Sequence, residues 1–255
     1  MAKFIKNNFY EQNNIINNSK ILLLLKNKKN AELLSRFLDA NYVTYKDLKA
    51  EIDFDLILTD SHNYQSNFKK IEECKNKQSP IFLPVILLHK KDDIIDYTSK
   101  NINIADEFIL TPVKKEVLKN RIKRLLKTRL LTQEVYNLEN KFNKIFNNIN
   151  KLIMIHKVDL EKEIFHNFIE VNDKVKDILG YSQAEILEMN LKDLITHEEE
   201  SMFLNYYFNK LKKYKKVKLE TKLLKKDGDL LNVQLHSKQL VLRGKKNILT
   251  SLEII

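Results

Sequence analysis

Few residues in this chain can carry chemistry. Asp60 closes the run Asp55-Leu-Ile-Leu-Thr-Asp60, an acid set behind apolar residues where a buried strand would deliver it to the rim of a sheet. Cys74 is the single cysteine among 255 residues. It rules out an internal disulfide and a Cys-based zinc cluster, so a reducing compartment is the simple reading. With three glycines in total, a phosphate-cradling loop is not expected. No Gly-rich nucleotide lid, no GGDEF-like motif and no His followed by Glu-x-x-Thr/Asn-Pro occurs. The chain is therefore expected not to be an enzyme.

Charge suggests partners without naming one. Lys and Arg number 45 against 34 Asp and Glu, a formal net charge of +11, which suits nucleic acid or an anionic surface. The cations are spread along the whole chain, however. The basic stretch Lys114 to Arg129 reads as the wet face of a helix with no helix-turn-helix behind it, so a nucleic-acid partner is not expected. No apolar run reaches the ~18 residues of a membrane-spanning helix, and the expected location is cytoplasmic.

The elements that must position Asp60 follow from periodicity. Residues 1–19 are polar and Asn-rich and read as an N-terminal arm. Ile21-Leu-Leu-Leu-Leu25, Tyr42 to Tyr45, Leu56-Ile-Leu58, Pro84-Val-Ile-Leu-Leu88 and Glu107-Phe-Ile-Leu110 read as strands. Helical segments fall at 31–38, 46–51, 66–76 and 91–100, and another begins at Val113. Strands alternating with helices predict a parallel sheet with its chemistry at the strands' C-terminal ends.

The last helix carries a second pattern. Leu131, Val135, Leu138, Phe142, Ile145, Ile149 and Leu152 are spaced alternately by four and three. That is a heptad seam with Val135, Phe142 and Ile149 at a and the leucines and Ile145 at d, which favours a parallel two-stranded coiled coil and a homodimer.

Beyond Lys151 the pattern becomes α+β. Leu152–Val158 and Ile164–Val171 read as strands and 173–212 as helices. Three strands follow, Val217–Lys225, Leu230–Val241 and Asn247–Ile254. Val217, Leu219, Thr221 and Leu223 alternate with Lys218, Glu220 and Lys222, which predicts one buried and one wet face. Lys226-Asp-Gly-Asp229 and Arg243-Gly-Lys-Lys246 read as hairpin turns.

Two families are resembled. Residues 20–128 resemble the receiver domain of two-component response regulators, through Asp55 to Asp60, Pro84 to Leu88 and Ala105-Asp-Glu-Phe-Ile-Leu-Thr-Pro112. The resemblance makes Asp60 the phosphoacceptor candidate, which in that family works with Mg²⁺ held by acids after the first strand. Here those positions are Leu25 and Lys26. The family's lysine before proline is Thr111, and its hydroxyl after the fourth strand is His89. The receiver is therefore degenerate and Mg²⁺ is expected to bind poorly. Lys26 is expected to set its ammonium group beside Asp60, filling the vacated metal site.

Residues 153–255 resemble a PAS domain, through Glu170-Val-Asn-Asp-Lys-Val-Lys-Asp-Ile-Leu-Gly-Tyr-Ser182, Leu191-Lys-Asp-Leu-Ile-Thr-His197 and Lys225-Lys-Asp-Gly228. That family often encloses a small ligand, dimerises and signals through flanking helices. Ile178, Leu179, Met189, Leu194, Phe203, Val233, Leu235 and Leu252 are the pocket candidates, an apolar set that is more often a packed core. His156, His166, His197 and His236 are weighed as haem ligands, with His236 and His197 assigned to the surface, and no cofactor is expected. The whole then reads as arm 1–19, a doubly wound α/β receiver-like domain at 20–128 with a five-stranded parallel sheet, a coiled-coil helix at 129–152, and an α+β PAS domain with an antiparallel sheet at 153–255. Such a chain would be a non-catalytic relay of the two-component type, partnered by itself and by a kinase or output protein. The alternative is the input portion of a sensor histidine kinase or diguanylate cyclase.

Overall fold

Leu22 and Leu24 point to one side of a strand and Ile21 and Leu23 to the other, and all four are buried, so the run they form must lie inside a sheet covered on both faces. The structure, a computed structural model, describes residues 18–39, 42–46, 53–93, 103–242 and 244–255. The chain divides into two units, Met1–Glu139 and Asn140–Ile255.

In the first unit β1 (Lys20–Leu24), β2 (Val43–Tyr45), β3 (Leu56–Asp60), β4 (Val85–His89) and β5 (Glu107–Leu110) form a parallel sheet in the order β2-β1-β3-β4-β5. The described helices are α1 (Lys28–Leu38), α2 (Ser61–Gln78) and α3 (Lys115–Asn148). Strand alternation sorts the apolar residues into two cores. Ile21, Leu23, Leu56, Leu58 and Ile86 pack with Leu118, Ile122, Leu126 and Leu130 of α3. Leu22, Leu24, Ile57 and Val85 pack with Tyr64 and Ile71 of α2. The central strands β1, β3 and β4 carry apolar runs because both of their faces meet a core.

Two expectations change here. The helix expected at 66–76 begins at Ser61, because Asp60 caps it: its Oδ1 accepts the Asn63 backbone N–H at 2.9 Å. The stretch Lys114 to Arg129 is not uniformly a wet face. Arg129 is 5 % exposed and donates to Asp55 Oδ1 at 2.8 Å, to the Phe82 carbonyl at 3.0 Å and to Gln78 Oε1 at 2.7 Å. Arg121 and Arg124 both reach Glu107 Oε1. Most of the N-terminal arm and of the helices expected at 46–51 and 91–100 lies outside the described residues.

The second unit holds β6 (Leu152–Asp159), β7 (Ile164–Val171), α4 (Lys174–Leu179), α5 (Gln183–Leu187), a 3-10 turn at Leu191–Leu194, α6 (His197–Tyr214), β8 (Lys216–Leu224), β9 (Leu230–Leu242) and β10 (Lys245–Ile254). Its antiparallel sheet runs β7-β6-β10-β9-β8. One face of that sheet packs on the helices around Phe165, Phe168, Phe203, Tyr207 and Phe208. The Ser182 side chain and Glu185 form a capping box that starts α5. Gly180 ends α4 at φ 81°, a conformation that favours glycine. Gly228 and Gly244 supply positive φ in the two hairpins; Arg243 of the second lies outside the described residues.

Candidate functional site

The strand order of the parallel sheet reverses between β1 and β3, and a crevice opens there at their C-terminal ends. A cavity of about 800 Å³ is lined by Leu25, Lys26, Asn27, Asp60, Ser61 and Thr111, among others. It gathers Asp60, Lys26 and Thr111, three of the four positions singled out by the resemblance to receivers. His89 is not on its lining; the His89 carbonyl accepts the backbone N–H and hydroxyl of Thr111 at 2.7 and 3.0 Å.

Asp60 is tied down. Its Oδ2 accepts the Lys26 backbone N–H at 2.6 Å, and its Oδ1 accepts the backbone and side-chain N–H groups of Asn63 at 2.9 and 3.1 Å. The expectation for Lys26 is corrected: the backbone N–H meets the carboxylate, and no ion pair joins the Lys26 ammonium to Asp60. The backbone approach follows from the parallel pairing of β1 with β3, which sets Leu24 beside Thr59. Asp93 faces the same crevice but is held by the Lys90 backbone N–H at 2.8 Å and the Ser61 hydroxyl at 2.7 Å; these bonds lower its pKa. A hard cation needs several free oxygen ligands. This set, with Leu25 and Lys26 where acids would serve and both Asp60 oxygens occupied, does not fit Mg²⁺. Acetyl phosphate with Mg²⁺ is accordingly expected to leave the intact mass unchanged; a gain of one phosphoryl group that vanishes in Asp60→Asn would overturn this.

The interior of the second unit is a packed core. Leu179, Leu194, Val233 and Leu235 are fully buried, Phe203 and Leu252 nearly so, and Ile178 and Met189 pack against them. Sequence reasoning missed a polar set inside this core. His156 on β6, Thr250 on β10, Ser237 on β9 and Tyr207 on α6 are all buried. His156 Nε2 lies 3.0 Å from the Thr250 hydroxyl, which lies 2.7 Å from that of Ser237. Phe165 and Phe168 flank the imidazole, each 5.7 Å away between ring centres. Burial holds the His156 pKa down to about 4 and pushes the Tyr207 phenol up to about 12. The signal for His156 was parity: it shares a strand face with Leu152 and Met154. Of the other histidines, His166 and His197 are exposed and His236 is on the outward face of β9. A haem would therefore find one candidate ligand inside, already bonded to Thr250, and the donor set does not fit it.

At the start of the second unit, α3 stops short of the expected seam. The helix ends at Asn148; Ile149 lies beyond it, and Leu152 opens β6 fully buried in the sheet core. Asn172 sets this boundary. It is fully buried, accepts the Ile153 backbone N–H at 3.0 Å, and donates to the carbonyls of Phe146 and Lys151 at 3.2 and 2.9 Å. The Asp173 backbone N–H adds a bond to Asn147 Oδ1 at 3.1 Å. The helical part of the seam, Leu131, Val135, Leu138, Phe142 and Ile145, is exposed along its length.

Five antiparallel strands, with the helices α4 to α6 between β7 and β8, are the architecture against which known proteins are compared. Residues 153–254 match the family model of the PAS domain. No curated protein matches the chain. Among solved structures, the PAS domain of an HTR-like protein from Haloarcula marismortui is 18 % identical, with 48 % of this chain and 96 % of that one covered and a TM-score of 0.41. The PAS domain of a two-component sensor histidine kinase is also 18 % identical, over 47 % of this chain and 99 % of that one, with a TM-score of 0.39. One from Colwellia psychrerythraea is 13 % identical over 46 % and 97 %, with a TM-score of 0.39. The match begins at the second residue of β6 and leaves the parallel sheet and α3 outside it. Among the described residues no helix is long and apolar enough to cross a membrane.

Proposed function

We propose that this is a non-catalytic signal-transduction protein, in which a degenerate receiver-like unit and a PAS domain exchange state through α3. The observation that carries the reading is the helix itself: 34 continuous residues that start in the α/β unit and end against Asn172 of the PAS domain, bearing an apolar stripe. Leu131, Val135, Leu138, Phe142 and Ile145 are between 46 and 66 % exposed. Five large apolar residues at heptad spacing form a surface that a second copy would cover, with leucine at two of the three d positions and β-branched Val135 at a. A signalling partner, either a kinase or an output protein, would act by favouring one arrangement of the paired helices over another. The bonded state of Asp60 and the filled PAS core both support docking of a partner, rather than phosphorylation or a bound cofactor, as the input.

The test is mass in solution. Light scattering behind a sizing column is expected to report a dimer, and Leu138→Lys, which places a charge in the middle of the seam, is expected to report a monomer with an unchanged circular dichroism spectrum. A chain that is monomeric at every concentration would remove the seam from the mechanism.

A further inference from the structure

The lysines that look evenly spread in the sequence are not evenly spread in the fold. From Lys210 to Lys218 the chain reads Lys-Leu-Lys-Lys-Tyr-Lys-Lys-Val-Lys, six lysines with no acid among them. It spans the last turn of α6 and the first residues of β8. Lys212 pairs with Glu163 at 2.6 Å. Lys210, Lys213, Lys215, Lys216 and Lys218 have no ion-pair partner among the described residues. Pairing with β9 adds to the patch: Lys216 lies opposite Lys238, and Lys218 opposite His236. The next outward-facing row is Glu220, Gln234 and Glu253, so the basic tract has a defined border, and Glu253 is itself paired with Lys151.

Two local rules are broken to build this tract. Like charges placed directly opposite on neighbouring strands repel, and Lys216 with Lys238 is such a pair. Lys215 closes α6 in the left-handed conformation, at φ 57° and ψ 15°, where glycine is the residue of least strain. Neither Lys216 nor Lys238 has an ion-pair partner among the described residues.

Aromatic rings are interleaved with the cations. Tyr206, Lys210 and Tyr214 stand at four-residue spacing on one stripe of α6. The Lys210 ammonium lies 5.3 Å from the Tyr206 ring centre and 5.4 Å from that of Tyr214, and Lys213 lies 5.1 Å from Tyr214. The two rings are 44 and 50 % exposed. Tyr206 continues into an open groove of about 780 Å³ between α6 and β8, lined also by Lys218, Leu219, Lys222, Glu199 and Glu220. Exposed flat rings held between ammonium groups suit a polymer with alternating planar and anionic parts. A bilayer fits less well, because the exposed apolar Met202 of this groove stands one turn from Glu199, away from the cations.

We propose that the α6–β8 corner of the PAS domain is a binding site for single-stranded nucleic acid, with phosphates on Lys210, Lys213, Lys215, Lys216, Lys218 and Lys238 and bases stacked on Tyr206 and Tyr214. This revises the expectation that no nucleic acid is bound, which rested on charge counted along the chain. The site reads no base edges, so it is tolerant of sequence.

The experiment is fluorescence anisotropy of a short fluorescein-labelled oligouridylate titrated with the full chain. Binding is expected at about 50 mM salt, with log K falling against log salt at a slope of about −4, from roughly 0.7 for each of the six neutralised phosphates. Lys213→Glu with Lys216→Glu is expected to abolish binding, and Lys176→Glu, at the other side of the domain sequence, to leave it within about twofold. Tyr214→Leu, which keeps the charge, is expected to weaken binding by about 5- to 100-fold, the range that base stacking spans. A duplex of the same length is expected to bind at least tenfold more weakly. Absence of binding at low salt overturns the proposal. Equal affinity for duplex, or indifference to Tyr214→Leu and Tyr206→Leu in variants that melt like the parent, overturns it as well, by reducing the corner to a general anion surface.

Discussion

Arg129→Ala is expected to destabilise the α/β unit by about 3–5 kcal/mol, the range for removing one partner of a buried ion pair. The side chain is 6 % exposed and its partner Asp55 27 %. Three guanidinium donors are used, on Asp55, the Phe82 carbonyl and Gln78. Asp55 in turn accepts the Lys20 backbone N–H at 2.8 Å through its other oxygen. Alanine would take the Arg129 donors away from one carboxylate oxygen, a carbonyl and an amide oxygen together, at the end of the sheet opposite Asp60. Lysine cannot replace the arginine, because one ammonium point charge does not span three acceptors lying in different directions. Arg129→Lys is therefore expected to recover less than half of the loss. Hydrogen exchange of amides in residues 20–126 would localise the effect to this unit. A loss below about 1 kcal/mol would show that the cluster stays hydrated and is worth no more than a surface pair.

Acidification is expected to unfold the PAS domain through His156. The pKa of this imidazole in the folded state is about 4, against 6.5 as the ordinary value. A folded-state pKa below the unfolded one means the neutral ring is favoured by folding. Its contribution is complete above pH 6.5, declines as pH falls from there toward 4, and is lost below. The span of about 2.5 units corresponds to about 3 kcal/mol. Its surroundings, Thr250, Phe165 and Phe168, offer the cation no carboxylate. Other groups titrate nearby in pH, Glu185 among them, whose pKa its bond to Lys226 and the capping box lowers to about 2. The useful quantity is therefore the difference between the chain and His156→Leu, measured by urea unfolding at steps from pH 7.5 to pH 4. That difference is expected to shrink by about 3 kcal/mol over the range. A pH-independent difference would place the ring in contact with water.

How much of this was legible depended on how local the cause was. The five parallel strands and the alternation along β8 and β9 are written in periods of one strand, and they fell within two residues of their observed limits. The start of α2 was also local. Asp60 and Asn63 are a cap signal, overlooked because the apolar periodicity begins only later in the helix. The end of α3 was not local. Apolar spacing of four and three runs on through Ile149 to Leu152, and nothing in that spacing says that Asn172, far along the chain, stops the helix at Asn148. Arg129 was hidden for the same reason, since its carboxylate lies 74 positions away. For Asp60 the sequence identified the residue and its place on the sheet rim, and the Asn63 bonds to Oδ1 are local, while the bond that occupies Oδ2 comes from the backbone N–H of Lys26 just beyond β1, which side-chain identities do not encode.

The bonds of Asn172 also act as a ruler on chain length. One side chain touches Phe146, Lys151 and Ile153 at once, so the passage from helix to strand has a fixed number of residues. Adding or removing a residue there would pull one of the three groups off its partner inside the core. Between Thr132, which accepts the Phe82 backbone N–H, and Phe146, the described residues of α3 make no such bracket, and there the natural unit of length change is a whole heptad, which returns the exposed stripe to the same side of the helix. Proteins built on this plan should differ in length along the helix in steps of seven, and not at all between residues 147 and 152.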